Sequence, residues 1–136
     1  MGFETFKPVR RRYQPDRSPY ISLSDIAYKG RSISQILRVN RSALALIDIR
    51  PKKGDDIFFL IEVDRERGAI RLTATGETDS ARRMNPVSGQ IFLPPSFRDW
   101  TGWGNSRWGV RAENNTLIGD LRITVDPAAI ESEPEP

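Results

Sequence analysis

The chain has 136 residues, enough for one domain with an ordinary core, and its Gly and Pro contents of 10 each point to a loop-rich β or α+β domain rather than a helical bundle. It contains no Cys and no His, which excludes disulfide staples, Ser-His-Asp and Cys-His nucleophilic schemes and histidine metal sites. The net charge of +3 is unevenly spread: residues 1–50 hold ten Lys/Arg against four acids, residues 51–125 eleven against ten, and residues 126–136 four acids and no base.

Residues 1–19, with three prolines and five Lys/Arg, have neither helical nor strand periodicity and read as a basic extended arm. Arg10, Arg11 and Arg12 are candidate phosphate contacts, because guanidinium forks match phosphate oxygens, and Tyr13 can stack on a base or anchor a partner. The competing reading is a solvated leader that serves solubility. The lack of an apolar leader or of ~20 consecutive apolar residues leaves cytoplasmic residence as the default and no membrane as partner.

Residues 20–125 are expected to form a single globular β-rich domain. Tyr20–Ser24 alternates and predicts a strand, Gly30 a turn, and Arg31–Leu37 a second strand. Asn40 is placed to cap a helix over Arg41–Ile47, with Ala43, Leu44 and Ile47 on one stripe, and Pro51 ends it. Ile57–Val63 and Ala69–Thr75, joined by a polar turn ending in Gly68, predict a β-hairpin with Ile57, Phe59 and Ile61 on one face. The opposite face carries Phe58 and Leu60, so the hairpin should be interior to its sheet and covered on both sides. The polar stretch 76–80 is then a linker between halves at about 20–76 and 81–125.

In the second half, Ser88–Phe97 is a short strand running into a turn, and Pro94-Pro95 suits the start of a helix over Ser96–Trp100, closed by Gly102 and Gly104. Trp108–Ala112 and Thr116–Ile123 read as strands around a Glu113-Asn114-Asn115 turn. Residues 126–136 form an acidic tail expected to be disordered. Gly30–Ala74 and the shorter Gly89–Ile123 share one order, Gly, strand, helix, Gly-containing turn, strand, tight polar turn, strand, as expected of an internal duplication about a pseudo-twofold; two convergent β-rich units would give the same order. The fold class is therefore α+β, mainly antiparallel, in two hairpin-centred halves that bury their apolar sides together. The reading of Arg-rich edges left free for a polyanion depends on that arrangement, and one continuous sheet, or those arginines consumed by internal carboxylates, would end it.

The second half, SGQIFLPPSFRDWTGW followed by a hairpin, resembles the AbrB and MraZ swapped-hairpin superfamily of bacterial DNA-binding proteins. Gly89, Gln90, Ile91, Leu93 and Pro94 match the strand part of its motif, and Gly54-Asp55 with the following hairpin matches the rest in the first half. The first half lacks the proline after its strand, having Gln35-Ile36-Leu37, and the second has Gly104-Asn105 where Gly-Asp is usual; the likeness spans about 35–121. It implies interleaved hairpins and a basic surface for duplex DNA, carried by Lys29, Arg31, Arg38 and Arg41 together with the Arg10–Arg12 arm.

Trp100, Trp103 and Trp108, beside Arg98 and Arg107, could stack bases or anchor a protein, or could simply pack the core. Asp55, Asp56, Glu62, Asp64 and Glu66 alternate with arginines and read as a solvated turn more readily than as a carboxylate metal site. Arg82-Arg83 is a small basic cluster or a solvated strand end, and no Walker spacing is present. The expected function is non-enzymatic: a DNA-binding regulator without cofactor or metal, as a single chain, a homo-oligomer or part of a larger complex. The competing class is a protein-interaction module, an accessory or inhibitory subunit using the arm, Tyr13, Trp100 and Trp103.

Overall fold

The computed structural model describes residues 2–5, 18–26 and 33–125. The Arg10–Arg12 arm, Tyr13, Lys29, Gly30, Arg31 and the acidic tail lie outside the described residues. The chain folds as β1 (Tyr20–Ile26), β2 (Ser34–Val39), α1 (Arg41–Leu46), β3 (Ile57–Asp64), β4 (Ala69–Thr75), β5 (Ala81–Met84), β6 (Gln90–Leu93) and α2 (Pro95–Thr101). Four short strands follow: β7 (Ser106–Gly109), β8 (Arg111–Glu113), β9 (Thr116–Gly119) and β10 (Ile123–Thr124). The fold is mainly antiparallel β with two short helices.

All ten strands join one sheet in the order β10-β7-β1-β2-β6-β5-β3-β4-β9-β8. This departs from the expected pair of separately packed modules, since strands from residues 20–76 and 81–125 alternate along it. The sheet curls, because strands far apart in that order touch: Trp108 of β7 donates its indole N–H to the Gly68 carbonyl in the β3–β4 turn at 2.7 Å. Its side chain also covers Gly119 of β9, where an added Cβ would stand 2.6 Å from Trp108 Cβ.

The period-2 alternation of each strand sorts residues onto a concave, core-facing side and an outer side. Ile21 and Leu23, Leu37 and Val39, Phe59, Ile70 and Leu72, Met84, Ile91 and Leu93, Trp108 and Leu117 fill the concave side and are buried. The registers agree: Leu23 faces Leu37, Leu37 faces Ile91, Met84 faces Ile91, and Ile61 faces Leu72. The β3–β4 hairpin is interior, as its composition requires, flanked by β5 and β9. Its outer residues Phe58 and Leu60 are half-buried, so the second apolar side is only partly covered.

Local signals act as elementary chemistry dictates. Asn40 caps α1, its Oδ1 accepting from Ala43 N at 2.9 Å, and Ala43 and Leu44 turn inward. Pro95 opens α2 where a missing N–H costs nothing, and Gly102 closes it in the left-handed region at φ 71°. Two expected strands are each broken in two. Trp108–Ala112 divides at Val110, because β7 pairs with β1 while β8 pairs with β9 at the other end of the sheet. Thr116–Ile123 divides at residues 120–122, since β10 returns to β7. No described helix is long and apolar enough to cross a membrane.

Candidate nucleic-acid interface

Arg38 is the last outward-facing residue of β2, because Leu37 and Val39 on either side point into the core. Asn40 then ends the strand and Arg41 begins α1, which brings the two arginines to one cleft of about 330 Å³. Asn40 ties this corner together: Oδ1 also accepts from Tyr20 N at 3.0 Å, and Nδ2 donates to the Ser18 carbonyl at 2.7 Å. Ser18, the residue that follows the undescribed positions 6–17, is thereby held at this corner of the domain. Asn40→Ala should lower stability by ~1–2 kcal/mol, the usual loss for a removed cap. Chemical denaturation of the variant checks this, and an unchanged midpoint would mean that the corner is held by other groups.

The opposite wall is the β5–β6 turn. Asn85 Oδ1 accepts from Val87 N at 2.9 Å and Ser88 N at 3.2 Å, and Gly89 N donates to the Asn85 carbonyl at 2.9 Å. Gly89 has φ 72°, and a Cβ there would lie 2.5 Å from the Val39 carbonyl oxygen. Glycine lets the turn press against the end of β2, with Val39 N donating to the Gly89 carbonyl at 2.9 Å. Among the described residues the cleft is lined by Tyr20, Arg38, Asn40, Arg41, Ser42, Pro51, residues 86–89 and two aliphatic side chains, and by no carboxylate. Neither Arg38 nor Arg41 has a carboxylate partner among the described residues.

The outer face of the sheet extends this surface. Ser22 pairs with Arg38 on one side and with Arg107 of β7 on the other, and Arg38 pairs with Gln90 of β6. Arg107, Ser22, Arg38 and Gln90 therefore form one row across four strands, with the two arginines roughly 10 Å apart at the usual strand spacing. The Arg107 guanidinium lies 4.0 Å from the centre of the Tyr20 ring, which orients it over the face. Sequence reasoning noted Arg107 only as a neighbour of the tryptophans. The usable signal was alternation: once Trp108 is placed in the core, Arg107 must face out.

Several arginines are held by described carboxylates. Arg98 meets Asp25 at 3.3 Å, Arg83 meets Asp56 at 3.3 Å and Arg67 meets Asp64 at 3.9 Å. Arg111 on β8 bonds Glu113 at 2.8 Å and Asp120 at 3.2 Å, and these hydrogen bonds, that to Glu113 foremost, raise its already high pKa. A second cleft, of about 530 Å³, mixes Glu62, Asp64 and Asp120 with Arg67 and Arg71 and presents no single sign of charge. Asp64 Oδ1 accepts from the Glu66 and Arg67 amides, the work of a turn residue rather than a metal ligand.

The tryptophans separate. Trp103 is 5% exposed and packs against Trp108 at 5.5 Å between ring centres, with the Arg122 guanidinium 5.6 Å from its own ring. Burial removes Trp103 from the surface where a partner could reach it, so of the expected set Tyr13, Trp100 and Trp103 the exposed member among the described residues is Trp100. Trp100 is 50% exposed, edge-on to Phe97 at 6.2 Å and covered by Arg65 at 5.5 Å. Comparisons with protein-family models, curated proteins and solved structures returned no match to this chain.

Proposed function

We propose that this protein is a non-enzymatic DNA-binding protein of the AbrB/MraZ kind, in which the cleft of Arg38 and Arg41, the Arg107 row and the basic arm take phosphates of a duplex. The observation that carries the reading is the pairing of two arginines without carboxylate partners among the described residues, in a cleft whose described lining has no acid. Guanidinium groups in such a setting seek an outside anion, and phosphate fits their planar fork. The arginines of residues 1–19 precede Ser18 closely in sequence, and in this reading they add positive charge to the same ligand-binding surface.

Strand exchange supports the family likeness. Each half offers two strands, a helix and a third strand: β1-β2-α1-β3 in one, β5-β6-α2-β7 in the other. In the sheet, β7 pairs with β1 and β3 pairs with β5, so the third strand of each half completes the hairpin of the other. The middle of this arrangement is the antiparallel β2–β6 contact, with Ile36 facing Phe92 and Leu37 facing Ile91. In this reading a pseudo-twofold through that contact would relate β7-β1-β2 to β3-β5-β6, the interleaving that a duplicated swapped hairpin would adopt within one chain; the repeat so defined, β1-β2-α1-β3 and β5-β6-α2-β7, differs from the one expected from the sequence. The single sheet nevertheless departs from the two packed modules on which the expectation depended, and the proposal rests on the cleft of Arg38 and Arg41 instead.

Titration of a labelled duplex at several salt concentrations tests this, because each neutralised phosphate adds about 0.9 to the steepness of log K against log salt. A linear fall with a slope of several units is expected. Absence of binding at low salt would refute the proposal. A second reading, a protein-interaction subunit, draws on the exposed Trp100. It would be favoured by a stoichiometric partner that survives nuclease and high salt in a pull-down.

A further inference from the structure

Beside α2, side chains from β3, β5 and β6 leave an apolar groove of about 390 Å³. Ile61, Leu93, Pro94, Phe97 and Trp100 form it, with Arg82 at the rim. Phe97 turns inward, whereas Trp100, three residues on, is half-exposed.

Two arginines stand at this groove, and backbone carbonyls rather than carboxylates hold them. Arg82 Nη2 donates to the Phe92 carbonyl at 2.8 Å. Arg65 Nη1 donates to the Trp100 carbonyl at 3.3 Å, with its guanidinium 5.5 Å from the centre of the Trp100 ring. Neither has a carboxylate partner among the described residues. No acid is in the described lining, and Asp99, the only acid on α2, lies outside it. A guanidinium carries five N–H donors, so each arginine keeps donors for an outside anion while its position is already fixed.

We propose that this groove docks an acidic, apolar segment of a partner protein. The segment seats aliphatic or aromatic side chains against Phe97 and Trp100 and sets flanking carboxylates on Arg65 and Arg82. Charge complementarity selects this occupant. Nucleic acid would bring phosphate to the arginines but leave Ile61, Leu93 and Pro94 without apolar cover, and a basic segment would meet two like charges. Strand addition is excluded as the mode, because β3, β5 and β6 are all interior to the sheet. The segment therefore binds through its side chains. A half-exposed tryptophan beside an arginine is the kind of anchor that dominates such interfaces, and the carboxylates direct the docking more than they strengthen it. The groove goes beyond the DNA reading and shares no residue with the basic cleft.

Panning a phage library of random peptides on the nuclease-treated full-length protein tests this, with the Trp100→Ala protein as counter-selection. The enriched peptides are expected to carry Asp or Glu around aliphatic or aromatic residues. A synthetic copy of the leading peptide should bind at least about tenfold more weakly to Trp100→Ala, as for a removed hot spot. It should bind about tenfold more weakly to the Arg65→Gln/Arg82→Gln variant, the effect of two surface ion pairs. Arg65 and Arg82 are exposed and Trp100 half-exposed, so these variants keep the fold, which circular dichroism verifies. Enrichment of neutral or basic sequences, no enrichment over the counter-selected variant, or affinity indifferent to Trp100→Ala would overturn the proposal. Binding lost in Arg38→Gln/Arg41→Gln instead would assign the peptide to the basic cleft and also overturn it. Trp100-dependent self-association in sedimentation would do the same by giving the groove to a second copy. No nucleic acid is present in these measurements, so their failure leaves the DNA reading standing.

Discussion

Replacing Arg38 and Arg41 together by glutamine is expected to weaken duplex binding by about 100-fold at low salt. Each guanidinium–phosphate contact is a charge-assisted hydrogen bond worth ~1.5 kcal/mol or more, and every 1.4 kcal/mol is about tenfold in affinity. The salt slope should fall by about 2, one unit for each phosphate contact removed. Arg111→Gln is the control: its guanidinium is already engaged by Glu113 and Asp120 on an edge strand, and the affinity should be unchanged. The effect should be the same for unrelated duplexes if both arginines contact phosphate, and sequence-dependent if either reads a base edge. An unchanged slope in the double variant would place the DNA contacts elsewhere on the chain.

The largest effect on stability is expected at the place where the sheet closes on itself. Trp108 is fully buried, and its indole N–H satisfies the Gly68 carbonyl. Trp108→Ala should cost ~3–5 kcal/mol through the lost transfer energy and the cavity. Gly119→Ala should cost ~1–3 kcal/mol in the native background, because the new methyl meets Trp108 Cβ at 2.6 Å and Cγ at 2.9 Å and the strand must move. In the Trp108→Ala background the contacts with Cγ and Cδ1 are gone while the approach to Cβ remains, so part of the Gly119→Ala loss is relieved and the two losses should fall short of additive. Urea denaturation of the two single variants and the double variant measures the coupling, expected in the range ~0.5–3 kcal/mol. Simple additivity would mean that β7 and β9 are not in contact and that the sheet is open. Trp103→Ala belongs with these core substitutions, and loss of a partner in that variant would report unfolding rather than a surface anchor.

What could be read from the chain alone has a common character: it is chemistry between near neighbours. The Asn40 cap, Pro95 at the first turn of α2, the left-handed Gly102 and the positive φ of Gly68 are all set by residues within four positions of one another. The β3–β4 hairpin is equally local, since its turn fixes its register. Arg38 and Arg41 are nominated by the family resemblance, through their place around a strand and a helix start, and only those elements are decided locally.

The order of strands was not legible, nor was the company the arginines keep. Whether β1 meets β7, or β3 meets β5, depends on closing loops of tens of residues, and nothing in the period-2 pattern distinguishes one apolar partner face from another. The breaks at Val110 and at residues 120–122 follow from the same cause: they occur where the chain passes between the two ends of a curled sheet, so intrinsic strand propensity on either side says nothing about them. Salt bridges to Asp25, Asp56 and Asp120 remove Arg98, Arg83 and Arg111 from the free basic surface, and all three carboxylates lie nine or more residues away in sequence. Sequence by itself determined the elements and their inward faces, because helix caps, turns and alternation act over a few residues. Tertiary structure alone decided which strands exchange, which tryptophan stays exposed and which arginines remain without a described carboxylate, because those outcomes depend on contacts between residues that only folding brings together.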